Sequence, residues 1–323
     1  MPGFHDLIDD KELQDPRTAA QQRISLIRNI EQATGRPLVV YAAAIANKPP
    51  QAPVQIDLTD KTAFSDLLDG IPGDQIDILL HSSGGVAEAA EQLVTLIRSR
   101  FSHVRYIVPH TATSAATLMV LSGDSVAMDD RSTLGPIDPQ IVIPIQHGQI
   151  RIPAHSYVQG FLKAKEAIEE NPDTAAAYLP LLSKYDLYLL EICQNALNLS
   201  RSLAEEWLRT YMLRNHGDRD KLASSISMEL SDHAKYLSHQ RPISINRAKE
   251  LGLVVTDLRD LPELRDSLWR LYCMIELHLD RSSAVKLFEN SRGVSYQRNF
   301  IIKEIQLPLM PQMPRGAPAP PAQ

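Results

Sequence analysis

The chain runs to 323 residues and holds only two cysteines, Cys193 and Cys273, far apart and in no CxxC pair. That excludes a disulfide framework and a thiolate metal centre, and it reads as two buried thiols in a reducing compartment. No run approaches the roughly eighteen apolar residues of a membrane helix. The opening MPGFHDLIDDKELQD also lacks the charged-then-apolar order of a secretory leader. There is no HExxH, no glycine loop followed by Lys-Ser/Thr, and no GxGxxG after a strand, so no metal, nucleotide or other cofactor is expected. Positive charge is not in excess: the formal net charge is -6, which argues against nucleic acid or an anionic membrane as partner. The expectation is a soluble, cytoplasmic protein with no membrane span.

What is present is a hydrophobic fraction of 44%, enough for a sizeable core, and one stretch around which the chain is organised. It extends from Ile76 to Asp138 and contains two units of buried strand, small-residue turn and helix. In the first, the apolar run Ile76 to Leu80 stops at His81-Ser82-Ser83-Gly84-Gly85. A helical pattern follows from Ala87, with Ala90, Leu93, Val94 and Ile97 on one face. In the second, Val104 to Val108 is the strand, Pro109 to Thr113 the turn, and Ser114 opens the helix. Tandem units of this kind predict parallel strands joined by crossover helices, an α/β fold.

The chemistry these units suggest is acyl transfer. Paired glycines free backbone N–H groups to point into a cleft. A serine at a helix N-terminus lies at the positive end of the helix dipole, where an oxyanion would be stabilised. Taken singly, each feature has a plainer reading: Ser114 as an N-cap, and Gly84-Gly85 as an ordinary tight turn.

Together the two units resemble the Clp-fold serine peptidases, the group of the Clp proteolytic subunit and signal peptide peptidase A, and within it the serine dehydrogenase proteinases. The resemblance is carried by IDILLHSSGG (76–85), ATSAATLMVLSGDSVAM (112–128), LGPIDPQ (134–140) and RPISINRAKELGL (241–253), and covers most of residues 20 to 258. It implies a Clp/crotonase-type fold of repeated β-β-α units, with Ser114 as nucleophile and the N–H groups of Gly85 and Ala115 as oxyanion hole. It also implies a homo-oligomer, ring or trimer-based, acting on a peptide or protein substrate. Two positions depart from the pattern: Ser83, where the group usually has proline, and Ala116, where the closest family usually has glycine. Neither removes a reacting group.

A serine hydroxyl needs a neighbouring base, and here the resemblance gives no single answer. The histidine of a Clp-type triad would fall in Ser132-Thr133-Leu134-Gly135-Pro136, which has none, and the position of the triad aspartate is Gln240. Signal peptide peptidases use a lysine, whose pKa desolvation can lower. Candidates are His155, at the entry to a helix; His239, in SHQRPIS; and Lys165, placed by a 100° turn per residue on the face of Tyr157, Phe161 and Ile168. His81 is read as scaffold and Asp138 as a turn cap before proline.

The remaining chain predicts a flexible N-terminus over 1–16 and a peptidase domain over 17–260 whose part 156–230 is helical, with helices at 156–170, 174–198 and 201–214. An accessory helix and hairpin follow over 261–307, then a Pro-rich disordered tail over 308–323. A hairpin is expected around His147-Gly148 and a last strand at Leu253 to Val255. The function implied is an ATP-independent serine peptidase. The alternatives are a catalytically silent scaffold on the same fold, or a crotonase-like acyl-CoA enzyme, which usually lacks a serine at this position.

Overall fold

The computed structural model describes residues 4–145 and 148–301. His147 of the expected turn and the 308–323 tail lie outside them. The strands are β1 (Leu38–Ala43), β2 (Gln75–His81), β3 (His103–Ile107), β4 (Thr111–Ala112), β5 (Ser125–Met128), β6 (Thr133–Leu134), β7 (Gln140–Ile145), β8 (Gly148–Pro153), β9 (Val255–Asp257), β10 (Ala284–Asn290) and β11 (Ser295–Asn299). A seven-stranded sheet runs in the order β11-β10-β1-β2-β3-β5-β9, parallel from β1 to β9 and antiparallel at β10 and β11.

The continuous apolar runs of β1 and β2 follow from burial on both faces. Ile76, Ile78 and Leu80 point to one side, against the Ala87–Arg100 and Ala115–Leu121 helices. Leu79 points to the other, against the Pro16–Thr34 and Pro262–Arg281 helices. The Ala87–Arg100 helix buries the stripe expected of it, Ala90, Leu93, Val94 and Ile97. Leu93, Val94 and Ile97 each contribute about 1.5–3 kcal/mol when fully buried.

Three elements differ from the sequence reading. Residues 4–16 are not a loose arm: Leu7 and Leu13 are buried against Tyr272, Cys273, Met274 and Leu277. The segment after 260 does form a helix and a hairpin, but β10 is an interior strand of the main sheet, paired along β1 from Val39↔Asn290 to Ala43↔Lys286. Its charges disguised this. Lys286 is fully buried, with Nζ 2.8 Å from Asp60 and 2.9 Å from Asp57. Glu289 is likewise buried, 2.7 Å from Arg23. A buried charge is tolerated when it is paired and hydrogen-bonded, and pairing partners 229 and 266 residues away are invisible to local pattern. The third difference is among the helices. The break expected near residue 200 falls at Ser183–Asp186, because Asp186 caps the Leu187–Trp207 helix through its side chain. The last strand sits two residues later than expected.

A second, small sheet positions the site. Single bridges and short ladders link Ser82 to Ala112, Ala112 to Leu134, and Leu134 to Ile243. The first two pairings are parallel and the third antiparallel. The residues after Ser82, Ala112 and Leu134 and the residues before Ile243 therefore leave the same end of this sheet.

Candidate active site

Four segments meet at that end. From Ser82 the chain passes to Gly84 and Gly85; from Ala112 to Ser114; from Leu134 to Asp138. On the antiparallel partner, His239 lies upstream of Ile243.

Ser114 has φ 57 and ψ -124, one of three non-glycine residues with positive φ among those described. For a residue with a Cβ this region costs about 1–3 kcal/mol, and such strain is typical of a serine held out on a sharp turn between strand and helix. The plain N-cap reading does not hold: the Ser114 hydroxyl caps no helix N–H. Glycine is required beside it. A Cβ on Gly84 would lie 2.6 Å from Ser114 Cβ and 2.9 Å from the Ala115 nitrogen, and one on Gly85 would lie 2.2 Å from Ile56 O. The backbone bonds Ile56 N–H to Gly84 O and Val86 N–H to Ile56 O clamp this loop, while the N–H groups of Gly85 and Ala115 donate to no acceptor among the described residues.

Asp138 is not a turn cap. It is fully buried, and its two carboxylate oxygens each accept from an imidazole: Oδ1 from His239 Nδ1 and Oδ2 from His233 Nδ1, both at 2.8 Å. Gln140 Nε2 adds a third donor at 3.2 Å. A buried carboxylate facing two Nδ1 atoms requires protons on both, which leaves Nε2 of each ring as the lone-pair nitrogen. The acidic partner that seemed absent at Gln240 is thus supplied by Asp138, from a different segment.

His155 borders the same cluster. Ala154 N–H bonds Pro139 O at 2.9 Å, and the His155 ring lies 5.9 Å from that of His233. Burial, then the neighbouring His233, push the His155 pKa below the ordinary 6.5. Folded His155 therefore resists protonation more than unfolded His155 does. Its contribution to stability is full above 6.5 and drains as pH falls below that value. His155→Gln should accordingly flatten part of the fall in Tm just below pH 6.5, where His110 and His278, whose pKa values burial also lowers, contribute too. Melting curves across pH check this; an unchanged slope would exclude the effect.

Lys165 does not fit its expected role. Its side chain is 58% exposed and pairs with Glu169 at 3.5 Å. The Ala154–Glu170 helix buries Ala154, Val158 and Ala164, with Tyr157 packed against the first two, but Lys165 on the same side is left uncovered and keeps its solvation. His233 is the residue that sequence reasoning missed. Its only local signal is HAKYLSH, two histidines flanking a short helix that ends at Leu237 with φ 61.

A family model described as ClpP-like SDH-type serine proteinase matches residues 56–278. The chain is 32% identical over 202 residues to the uncharacterized protein MJ0137 of Methanocaldococcus jannaschii, covering 61% of this chain and 58% of that protein. It is 27% identical over 180 residues to MJ1495 of the same organism, covering 56% and 51%. The chain thus spans little more than half the length of these curated relatives. Similar solved structures include an alanine mutant of the 1510-N membrane-bound stomatin-specific protease, with TM-score 0.38, 16% identity and coverage of 65% of this chain and 79% of that one. Another is a ClpP1 mutant from Listeria monocytogenes, with TM-score 0.35, 14% identity and coverage of 74% and 96%. No helix among the described residues is long and apolar enough to cross a membrane.

Proposed function

Because the chain belongs to the ClpP-like SDH-type serine proteinases, we propose that it hydrolyses peptide bonds through an acyl-enzyme on Ser114, with His239 as general base and Asp138 as its orienting carboxylate. The observation that carries this reading is the shared end of the small sheet, from which Gly85, Ser114, Asp138 and His239 all depart. His239 Nε2 takes the hydroxyl proton as Ser114 Oγ attacks the peptide carbonyl. The unengaged N–H groups of Gly85 and Ala115 receive the oxyanion. The imidazolium then protonates the leaving amine, and a water, activated by the same nitrogen, releases the acid.

His239 is favoured over His233 because the His233 ring also packs beside His155, whereas no ring among the described residues engages His239. The peptidase acts without ATP and as a homo-oligomer. Exposed Leu179, Leu187 and Tyr188 on the helical part, at 59%, 68% and 73%, supply apolar surface for subunit contact.

The test is covalent labelling with a fluorophosphonate, read by intact mass. Wild type should gain one adduct, Ser114→Ala none, and His239→Ala should label at least about 10²-fold more slowly, the scale of a lost general base. A folded wild type that stays unlabelled would remove the peptidase reading. Loss of labelling in His233→Ala or His155→Ala, with His239→Ala unaffected, would move the base.

A further inference from the structure

His81 closes β2 on the sheet face away from the Ala115–Leu121 helix, and it is 2% exposed. Two contacts to it agree on one tautomer. Its Nδ1 accepts the Thr111 backbone N–H at 3.3 Å, so Nδ1 carries no proton. Its Nε2 lies 3.3 Å from Glu276 Oε1, a buried carboxylate oxygen with no hydrogen-bond partner among the described residues. A neutral imidazole that accepts at Nδ1 carries its one proton on Nε2, the nitrogen on the Glu276 side.

The neighbouring groups extend the same link. Tyr272, one turn before Glu276 on the Pro262–Arg281 helix, stacks on His110 at 5.5 Å and meets the His81 ring edge-on at 5.0 Å. His110 Nδ1 lies 2.9 Å from Thr111 Oγ1. Thr111 opens β4, and its carbonyl accepts from Ser82 N–H at 2.9 Å, while Thr113 N–H returns to Ser82 O at 3.1 Å. The segment so held is the one that carries Ser114 at its strained φ of 57.

We infer that His81, braced by Glu276, is a positioning residue for Ser114: its Nδ1 holds the Thr111 N–H and thereby the backbone that presents the nucleophile. The catalytic consequence rests on the peptidase reading; the structural link does not. Asparagine places its Oδ1 close to where the imidazole has Nδ1 and can accept the same N–H, whereas phenylalanine fills the space with no acceptor.

The experiment compares wild type, His81→Asn and His81→Phe by hydrogen exchange over residues 108–118 and by fluorophosphonate labelling at several probe concentrations. In His81→Phe, exchange at Thr111 should quicken and the saturating labelling rate should fall, each by about tenfold, the scale of one lost hydrogen bond, with half-saturation unchanged. His81→Asn should restore both to within about threefold, since its acceptor remains. Unchanged exchange in His81→Phe, or an Asn variant as impaired as the Phe variant, would overturn the inference. Should neither variant fold, ¹⁵N shifts of wild-type His81 decide it: an unprotonated Nδ1 is required, and a protonated one excludes it. An unlabelled wild type would count against the peptidase reading alone, because exchange and tautomer still answer for His81.

Discussion

Asp138→Asn should slow modification of Ser114 by a fluorophosphonate on the order of 10³-fold while leaving the serine in place. The carboxylate accepts from His239 and His233 at once, each at 2.8 Å. An asparagine keeps the shape but offers one acceptor and one donor edge. One imidazole must then turn its Nδ1 lone pair to the amide and carry its proton on Nε2, which is the tautomer that cannot act as base. A fully buried carboxylate with two charge-assisted bonds also supports the fold, so the variant should lose about 2 kcal/mol of stability. Labelling kinetics and denaturant unfolding, measured on the same sample, separate the two effects. Labelling within a few-fold of wild type would show that Asp138 orients no base.

Ser114→Gly should be inactive yet more stable than Ser114→Ala by about 1 kcal/mol, the strain of a Cβ at positive φ less the extra chain entropy of glycine. Both variants lose the hydroxyl, so any difference between them reports the backbone alone. At φ 57 and ψ -124 the alanine variant keeps the strained conformation, whereas glycine adopts it freely. For a chain of this length the gap amounts to about 2 °C in Tm. Equal melting temperatures would mean that the loop relaxes once the hydroxyl is gone, and that the serine is not held under strain. Together with the His155 titration, these comparisons separate what the site does from what it costs the fold.

The His81 link bears on both variants. If Glu276 and His81 hold Thr111, then the strain at Ser114 is sustained from the far side of the main sheet, by the Pro262–Arg281 helix. That helix reads, from the sequence, as an accessory part, yet the family match runs through residue 278 and includes Tyr272 and Glu276.

Local pattern was enough for much of the molecule. The apolar runs of β2 and β3, the glycine pair and the stripe on the Ala87–Arg100 helix are short-range features, and each formed where the sequence placed it. The Ser114 segment was legible for the same reason: a strand, a small-residue turn and a helix start lie within about ten positions of one another.

The rest depended on pairings between distant segments. Asp138 reads as a turn residue until His233 and His239, some hundred positions away, are brought to its two oxygens. Lys165 reads as partly buried by its place on the helix face, yet no distant segment covers it and it stays in solvent beside Glu169. β10 reads as peripheral until Asp57, Asp60 and Arg23 neutralise its charges inside the sheet. The strand-turn-helix scaffold and its serine follow from periodicity and backbone freedom over a few residues, so the chain's local order suffices for them. Which imidazoles share a carboxylate was settled by folding, since hydrogen bonds and ion pairs depend on distance in space and leave no local period.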